Sequence, residues 1–129
     1  MRFPSELKYT KEHAWVRTQG AEALVGVTDH AQKELGDIVF VETPPVGASL
    51  ARLKPFGVVE SVKSVSDLHA PVSGTVVRVN ETLAATPEIV NKDPYGAGWI
   101  VAVALADPTE LAELMSAAEY EAYLAEIGK

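Results

Sequence analysis

A mainly-β fold of many short strands, with one short internal helix and two short C-terminal helices, is what this 129-residue sequence predicts. Three observations lead there. Short runs rich in Val, Ile and Phe recur from Trp15 to Ala104, punctuated closely by Gly and Pro, as in a sandwich or barrel of short strands. Gly74 to Val79 alternates as a half-buried strand does, with Val77 and Val79 on one face and Val76, Arg78 and Asn80 on the other. Helical spacing with capping residues is confined to Thr28–Leu35 and to the stretch after Asp107.

Taken in order, Trp15–Arg17 and Ala23–Val27 flank a Thr18-Gln19-Gly20-Ala21 turn and read as a hairpin. Thr28–Leu35 reads as a two-turn helix stopped by Gly36, with Asp29 and Gln32 as its capping box. Strands follow at Ile38–Val41, near Ser49–Arg52, at Phe56–Val62 and Leu68–Ala70 facing each other, at Gly74–Val79, and at Trp99–Ala104. Asp107-Pro108-Thr109-Glu110 opens the first C-terminal helix, with Leu111, Leu114 and Met115 on its buried side. Ser116 and Glu119 form a second capping box, followed by Tyr120, Tyr123, Leu124 and Ile127 at helical spacing. Gly36–Glu42 and Gly74–Asn80 share the form Gly-x-β-Val-x-Val-polar, a faint internal repeat within one domain.

Composition narrows function. The formal net charge is −7 and no Arg/Lys block occurs, which argues against a nucleic-acid partner or an anionic membrane surface. Cysteine is absent, excluding disulfides, thiolate metal sites and cysteine nucleophiles. The longest apolar run, Trp99–Ala106, falls far short of the ~20 residues of a membrane span, and Met1–Glu6 carries no secretory or presequence signal. The expectation is a cytoplasmic monomer. His13, His30 and His69 lack ligand spacing, and no nucleophile–base constellation is present. Trp15, Trp99 and Tyr95 read as core or loop anchors, and Gly26, Gly36, Gly74 and Gly96 as turn or close-packing positions.

The informative stretch is Val58 to Gly74, two apolar runs around a small hydroxyl-rich segment with Lys63 near its tip. A lysine amine is a weak, protonated nucleophile at neutral pH, and nothing in this stretch desolvates it, so Schiff-base chemistry is disfavoured. A solvated surface lysine and an attachment point for a swinging cofactor are the readings that the residues leave open.

The segment Glu60-Ser61-Val62-Lys63-Ser64-Val65-Ser66-Asp67, followed by Ala70-Pro71-Val72-Ser73-Gly74, resembles the attachment turn of lipoyl and biotin carriers, and in detail that of the H-protein family of glycine cleavage. Biotin domains typically place Met on both sides of their lysine, and lipoyl domains of 2-oxo acid dehydrogenases place Asp before it. Here the flanks are Val62 and Ser64. The resemblance runs through Lys8-Tyr9-Thr10, His13-Ala14-Trp15, Gly26–Gln32, Leu35–Val41, Asn91–Trp99 and Glu119-Tyr120. It implies a barrel-sandwich hybrid of two antiparallel sheets, a single carrier domain over 1–129 with Lys63 on a hairpin turn, and a helical cap at about 107–129.

It also implies a non-catalytic carrier with lipoate amide-linked to Lys63. The partners implied are a pyridoxal-phosphate glycine decarboxylase, a folate-dependent aminomethyltransferase, a dihydrolipoamide dehydrogenase, and a lipoate ligase or lipoyl transferase. Glu60, Ser61, Val62, Ser64 and Asp67 would support the arm and its recognition. Family members commonly carry Glu where this chain has Ala14, a carboxylate implied to hold the amine of the loaded arm; Glu12 or Asp67 is the replacement expected here. The alternatives are a lipoyl or biotin carrier for another complex, a lipoyl relay protein, or an unmodified binding module.

Overall fold

β-branched and small residues at alternating positions build nine strands, in a computed structural model that describes residues 1–128. They are β1 (Lys8–Tyr9), β2 (Ala14–Gln19), β3 (Glu22–Val27), β4 (Ile38–Glu42), β5 (Ser49–Leu50), β6 (Pro55–Ser61), β7 (Val65–His69), β8 (Gly74–Val79) and β9 (Val101–Leu105). All pairings are antiparallel, in one sheet ordered β1-β2-β3-β9-β8-β5 and a second ordered β4-β6-β7. The core lies between them, where Val16, Val25, Val27, Val76, Val101 and Val103 meet Ile38, Val41, Val59 and Leu68. A second cluster of Leu7, Tyr9, Trp15, Tyr95 and Tyr120 covers the outer face of the large sheet. Ala14, Trp15 and Val16 are consequently buried in succession, because both faces of β2 are covered. The Trp15 ring is the reason for Gly26 on the paired strand: a Cβ there would lie 2.6 Å from the indole.

The expected barrel-sandwich hybrid with three helices needs two corrections. The two antiparallel sheets form, but no barrel closure is seen. Where the chain passes between sheets it runs through Pro44-Pro45 and Pro71, which offer no amide to a ladder. The corner at Ala70 is held by single bonds, Leu53 N–H to Ala70 O at 2.7 Å and Ala70 N–H to Lys54 O at 2.9 Å. Helices number five among the described residues: α1 (Asp29–Leu35), α2 (Thr82–Ala85), α3 (Ile89–Lys92), a 3-10 helix at Pro108–Glu113, and α4 (Ala117–Ile127). The unforeseen pair, α2 and α3, are single turns too short to show a helical period, each burying one side chain, Leu83 or Val90.

Smaller differences have local causes. The cap of α1 is Thr28 and not Asp29; Thr28 Oγ1 accepts the Ala31 amide while Asp29 accepts from the Gln32 side chain. The last strand starts at Val101; the Trp99 amide closes the preceding turn on Gly96 O, while Ile100 already bonds Val25 O of β3. In β8 the register shifts between Val76 and Arg78, so Val76 is buried and Arg78 exposed although alternation put them on one face. The same irregularity occurs in β4 between Ile38 and Phe40, the equivalent place in the faint repeat. The Ser116–Glu119 capping box forms as expected; of the helical cap expected to 129, Lys129 lies outside the described residues.

Candidate functional site

Strands β6 and β7 converge on a tight turn, Val62-Lys63-Ser64, ordered by one buried hydroxyl. Ser61 Oγ accepts the Ser64 amide at 3.1 Å and the Lys63 amide at 3.3 Å, and the Ser61 amide donates to Ser64 O at 2.8 Å. A second tether joins the tip to the chain after α1, where the Val62 amide donates to Asp37 O at 3.0 Å. Gly36, at φ 80°, lets the chain turn there, and a Cβ built on it would sit 3.6 Å from Lys63 Cε. The lysine stem therefore runs along the end of α1 while its amine has no ion-pair partner among the described residues. Val62 and Val65 flank the tip with 69% and 65% of their surface exposed, an apolar collar around a cation.

Beside this turn lies a cleft of about 150 Å³ between α1 and the small sheet. Its floor is apolar, from Val27, Ala31, Leu35, Val59 and Leu68, and its rim carries Glu12, Glu34 and Asp67. Asp67 and Glu12, distant in sequence, are thus brought to one hollow. Glu60 is half-buried on β6, opposite Phe40 of β4 and Val65 of β7. A separate hollow of about 210 Å³, lined by Arg52, Leu53 and Glu113 among others, shares Glu12 but does not reach the turn.

The cleft contains groups that sequence reasoning did not assign to it. His13, at φ 68°, lines it, and its Nδ1 lies 2.7 Å from the Tyr120 hydroxyl of α4. Tyr120 in turn lies 2.8 Å from Thr28 Oγ1. The His13 and His30 rings are 4.6 Å apart, and His30 Nε2 approaches Glu34 at 3.6 Å. Burial, seconded by His30, pulls His13 down to about 4, although Glu34 works the other way. His13, Thr28 and Tyr120, which the hydrogen bonds link, share no period or spacing in the sequence.

Comparison with known proteins gives the family. The family model for the glycine cleavage H-protein matches residues 7–127. The chain belongs to this family. A curated glycine cleavage system H protein of Halothermothrix orenii is 54% identical over 127 residues, covering 98% of this chain and 99% of the relative. That of Koribacter versatilis is 57% identical over 126 residues, covering 98% and 97%. The crystal structure of a glycine cleavage system H protein from Mycobacterium marinum superposes with a TM-score of 0.88 at 39% identity, over 95% of this chain and 99% of that one. As a member of the glycine cleavage H-protein family, the chain is a lipoyl carrier protein of the glycine cleavage system and a non-catalytic component of it. The site presents an exposed amine on a turn beside a cleft. No helix among the described residues is long and apolar enough to cross a membrane.

Proposed function

We propose that Lys63 is the residue that carries lipoate, in one carrier domain spanning 1–129 that works as a cytoplasmic monomer. The carrying observation is the Ser61-ordered turn, which holds a lysine without an ion-pair partner among the described residues at a fixed place next to an acid-rimmed apolar cleft. The residues fit the group. An aliphatic chain matches the floor of Val27, Leu35, Val59 and Leu68, and a cationic amine matches the carboxylates of Glu12, Glu34 and Asp67. When attached, lipoate supplies a dithiolane that takes up the aminomethyl group of glycine and is reoxidised from the dithiol.

Within this reading the chain's own residues position and shelter the arm. Ser61 and the Val62–Asp37 bond fix the attachment point. Val62, Ser64, Glu60 and Asp67 form the surface that a lipoate ligase or lipoyl transferase reads. The partners served in turn are the pyridoxal-phosphate glycine decarboxylase, the folate-dependent aminomethyltransferase and the dihydrolipoamide dehydrogenase. The net charge of −7 favours docking on electropositive partner surfaces. Intact mass of the protein from its native host, with peptide fragmentation, tests the assignment. One lipoyl adduct on Lys63 is expected; an adduct on Lys33, Lys54 or Lys92, a biotin adduct, or none overturns it.

A further inference from the structure

The hydrogen-bond partners of Thr28, Tyr120 and His13 admit one complete proton assignment. Thr28 is fully buried, and its Oγ1 already accepts the Ala31 amide at 3.2 Å as the cap of α1. Among the described residues its own proton has a single acceptor, the Tyr120 hydroxyl at 2.8 Å. A tyrosine oxygen that accepts from Thr28 gives its proton to its other neighbour, His13 Nδ1, at 2.7 Å. Running the chain in reverse, from His13 Nδ1–H through Tyr120 to Thr28, strands the proton of a buried threonine without an acceptor. The forward direction leaves the imidazole proton on Nε2, which has no hydrogen-bond partner among the described residues and is not sealed from solvent.

We infer that His13 is a positioning residue of the cleft, locked by the Thr28–Tyr120 relay as a neutral imidazole with its proton on Nε2, so that it offers the arm one N–H donor and no positive charge. The groups facing the ring explain why neutrality matters. Glu12 lies on its own segment, His30 and Glu34 come from α1, Asp67 lies across the cleft on β7, and Tyr120 and Tyr123 come from α4, with Lys11 over the Tyr123 ring at 5.5 Å. An imidazolium here would cancel much of the field of the three carboxylates and repel an incoming ammonium. A neutral ring leaves the cleft negative, and its donor suits a carbonyl or sulfur of the arm. The burial that lowers His13 to about 4 acts in the same direction as the relay. The relay also gives α4 a role beyond covering the sheet, since it reaches His13 across 107 residues of sequence.

This inference rests on the carrier reading, and the test separates the two. The first measurement is intact mass after treatment with lipoate and ligase; a chain that takes no lipoyl group overturns both. On the lipoylated, nitrogen-15-labelled full chain, long-range proton–nitrogen correlation is expected to show His13 with Nε2 protonated and Nδ1 bare at neutral pH. A proton on Nδ1, or an imidazolium, overturns this inference alone. Tyr120→Phe keeps the ring that stacks on Tyr9 and removes only the hydroxyl. It is expected to erase the tautomer preference and to speed spontaneous release of ammonia and formaldehyde from the loaded carrier roughly tenfold, one water being consumed and the thiol regained. Thr28→Ser, which keeps the hydroxyl, is expected to behave as wild type. Release from Tyr120→Phe at the wild-type rate overturns the positioning role even where the tautomer is as stated.

Discussion

The Ser61 hydroxyl oxygen lies 3.1 Å from the Ser64 amide, and this contact closes the turn that presents Lys63. The same oxygen accepts the Lys63 amide at 3.3 Å, so a single side chain fixes the backbone on both sides of the lysine nitrogen. A turn that is both exposed and rigid is what an enzyme acting on one amine needs, because a wandering nucleophile loses its alignment.

Replacing the amine should end modification without touching the fold. Lys63→Arg keeps the charge, yet a guanidinium stays protonated and cannot form the amide link. The variant is expected to gain no mass on incubation with lipoate and ligase, and to melt within a degree or two of wild type, as expected for an exposed surface position. Lipoyl incorporation into the variant would show that another lysine is the target.

Loosening the turn should slow modification while the sheets persist. Ser61→Ala leaves two amides without their side-chain acceptor and is expected to lower stability by about 1 kcal/mol. Two glycines inserted between Lys63 and Ser64 fall outside both strands and are expected to cost little stability. Both variants should be lipoylated at least several-fold more slowly, read from the initial rate with ligase in limiting amount. Unchanged rates would mean that the ligase recognises the lysine without its rigid setting.

A turn with Lys63 near its tip between two strands was legible because its signal is local, hydroxyl residues between runs bounded by Gly and Pro, while its reading as an attachment point came from the family resemblance. The Ser116–Glu119 capping box was legible for the same reason, since all of its partners lie within one helical turn. The relay was not. Thr28 and Tyr120 are separated by 92 residues, His13 and Tyr120 by 107, and neither pair leaves a periodic trace. The irregularity in β8 was hidden because Val76, Val77 and Val79 suit either face of a strand, and only pairing with β9 decides which of them turn inward. Closure of the sheets is likewise a matter of edge pairing, which hydrophobic alternation does not encode.

Acid should weaken the fold through His13. Burial, with His30 nearby, holds its folded value at about 4, against 6.5 for the free side chain. The unfolded chain therefore binds the proton first, and stability is complete above about 6.5, declines as pH falls towards 4, and levels off below. The loss is at most about 3 kcal/mol, less where solvent reaches the ring. Urea midpoints from pH 7 to 4 should show this slope in wild type. His13→Asn should flatten it, since asparagine tolerates the positive φ and offers an oxygen to Tyr120. A variant that keeps the full slope would place the acid sensitivity elsewhere.

The last prediction concerns position 14, where the alanine departs from the carboxylate that the family resemblance implies. Ala14 lies at the start of β2, on the same face as Val16, and is only 7% exposed. It offers no acceptor to an ammonium in the cleft. Among the three rim carboxylates, Glu34 has His30 Nε2 as a neighbour at 3.6 Å, while Glu12 and Asp67 have no ion-pair partner among the described residues. These two are therefore expected to hold the amine of the loaded arm. Glu12→Gln and Asp67→Asn should each speed non-enzymatic release of ammonia and formaldehyde by roughly fivefold, the loss of one charge-assisted hydrogen bond from an exposed carboxylate. Ala14→Glu should change release little, since the acceptors are already present. If neither carboxamide variant speeds release while Ala14→Glu slows it strongly, compensation has not occurred and the cleft simply lacks an acceptor that the glutamate restores.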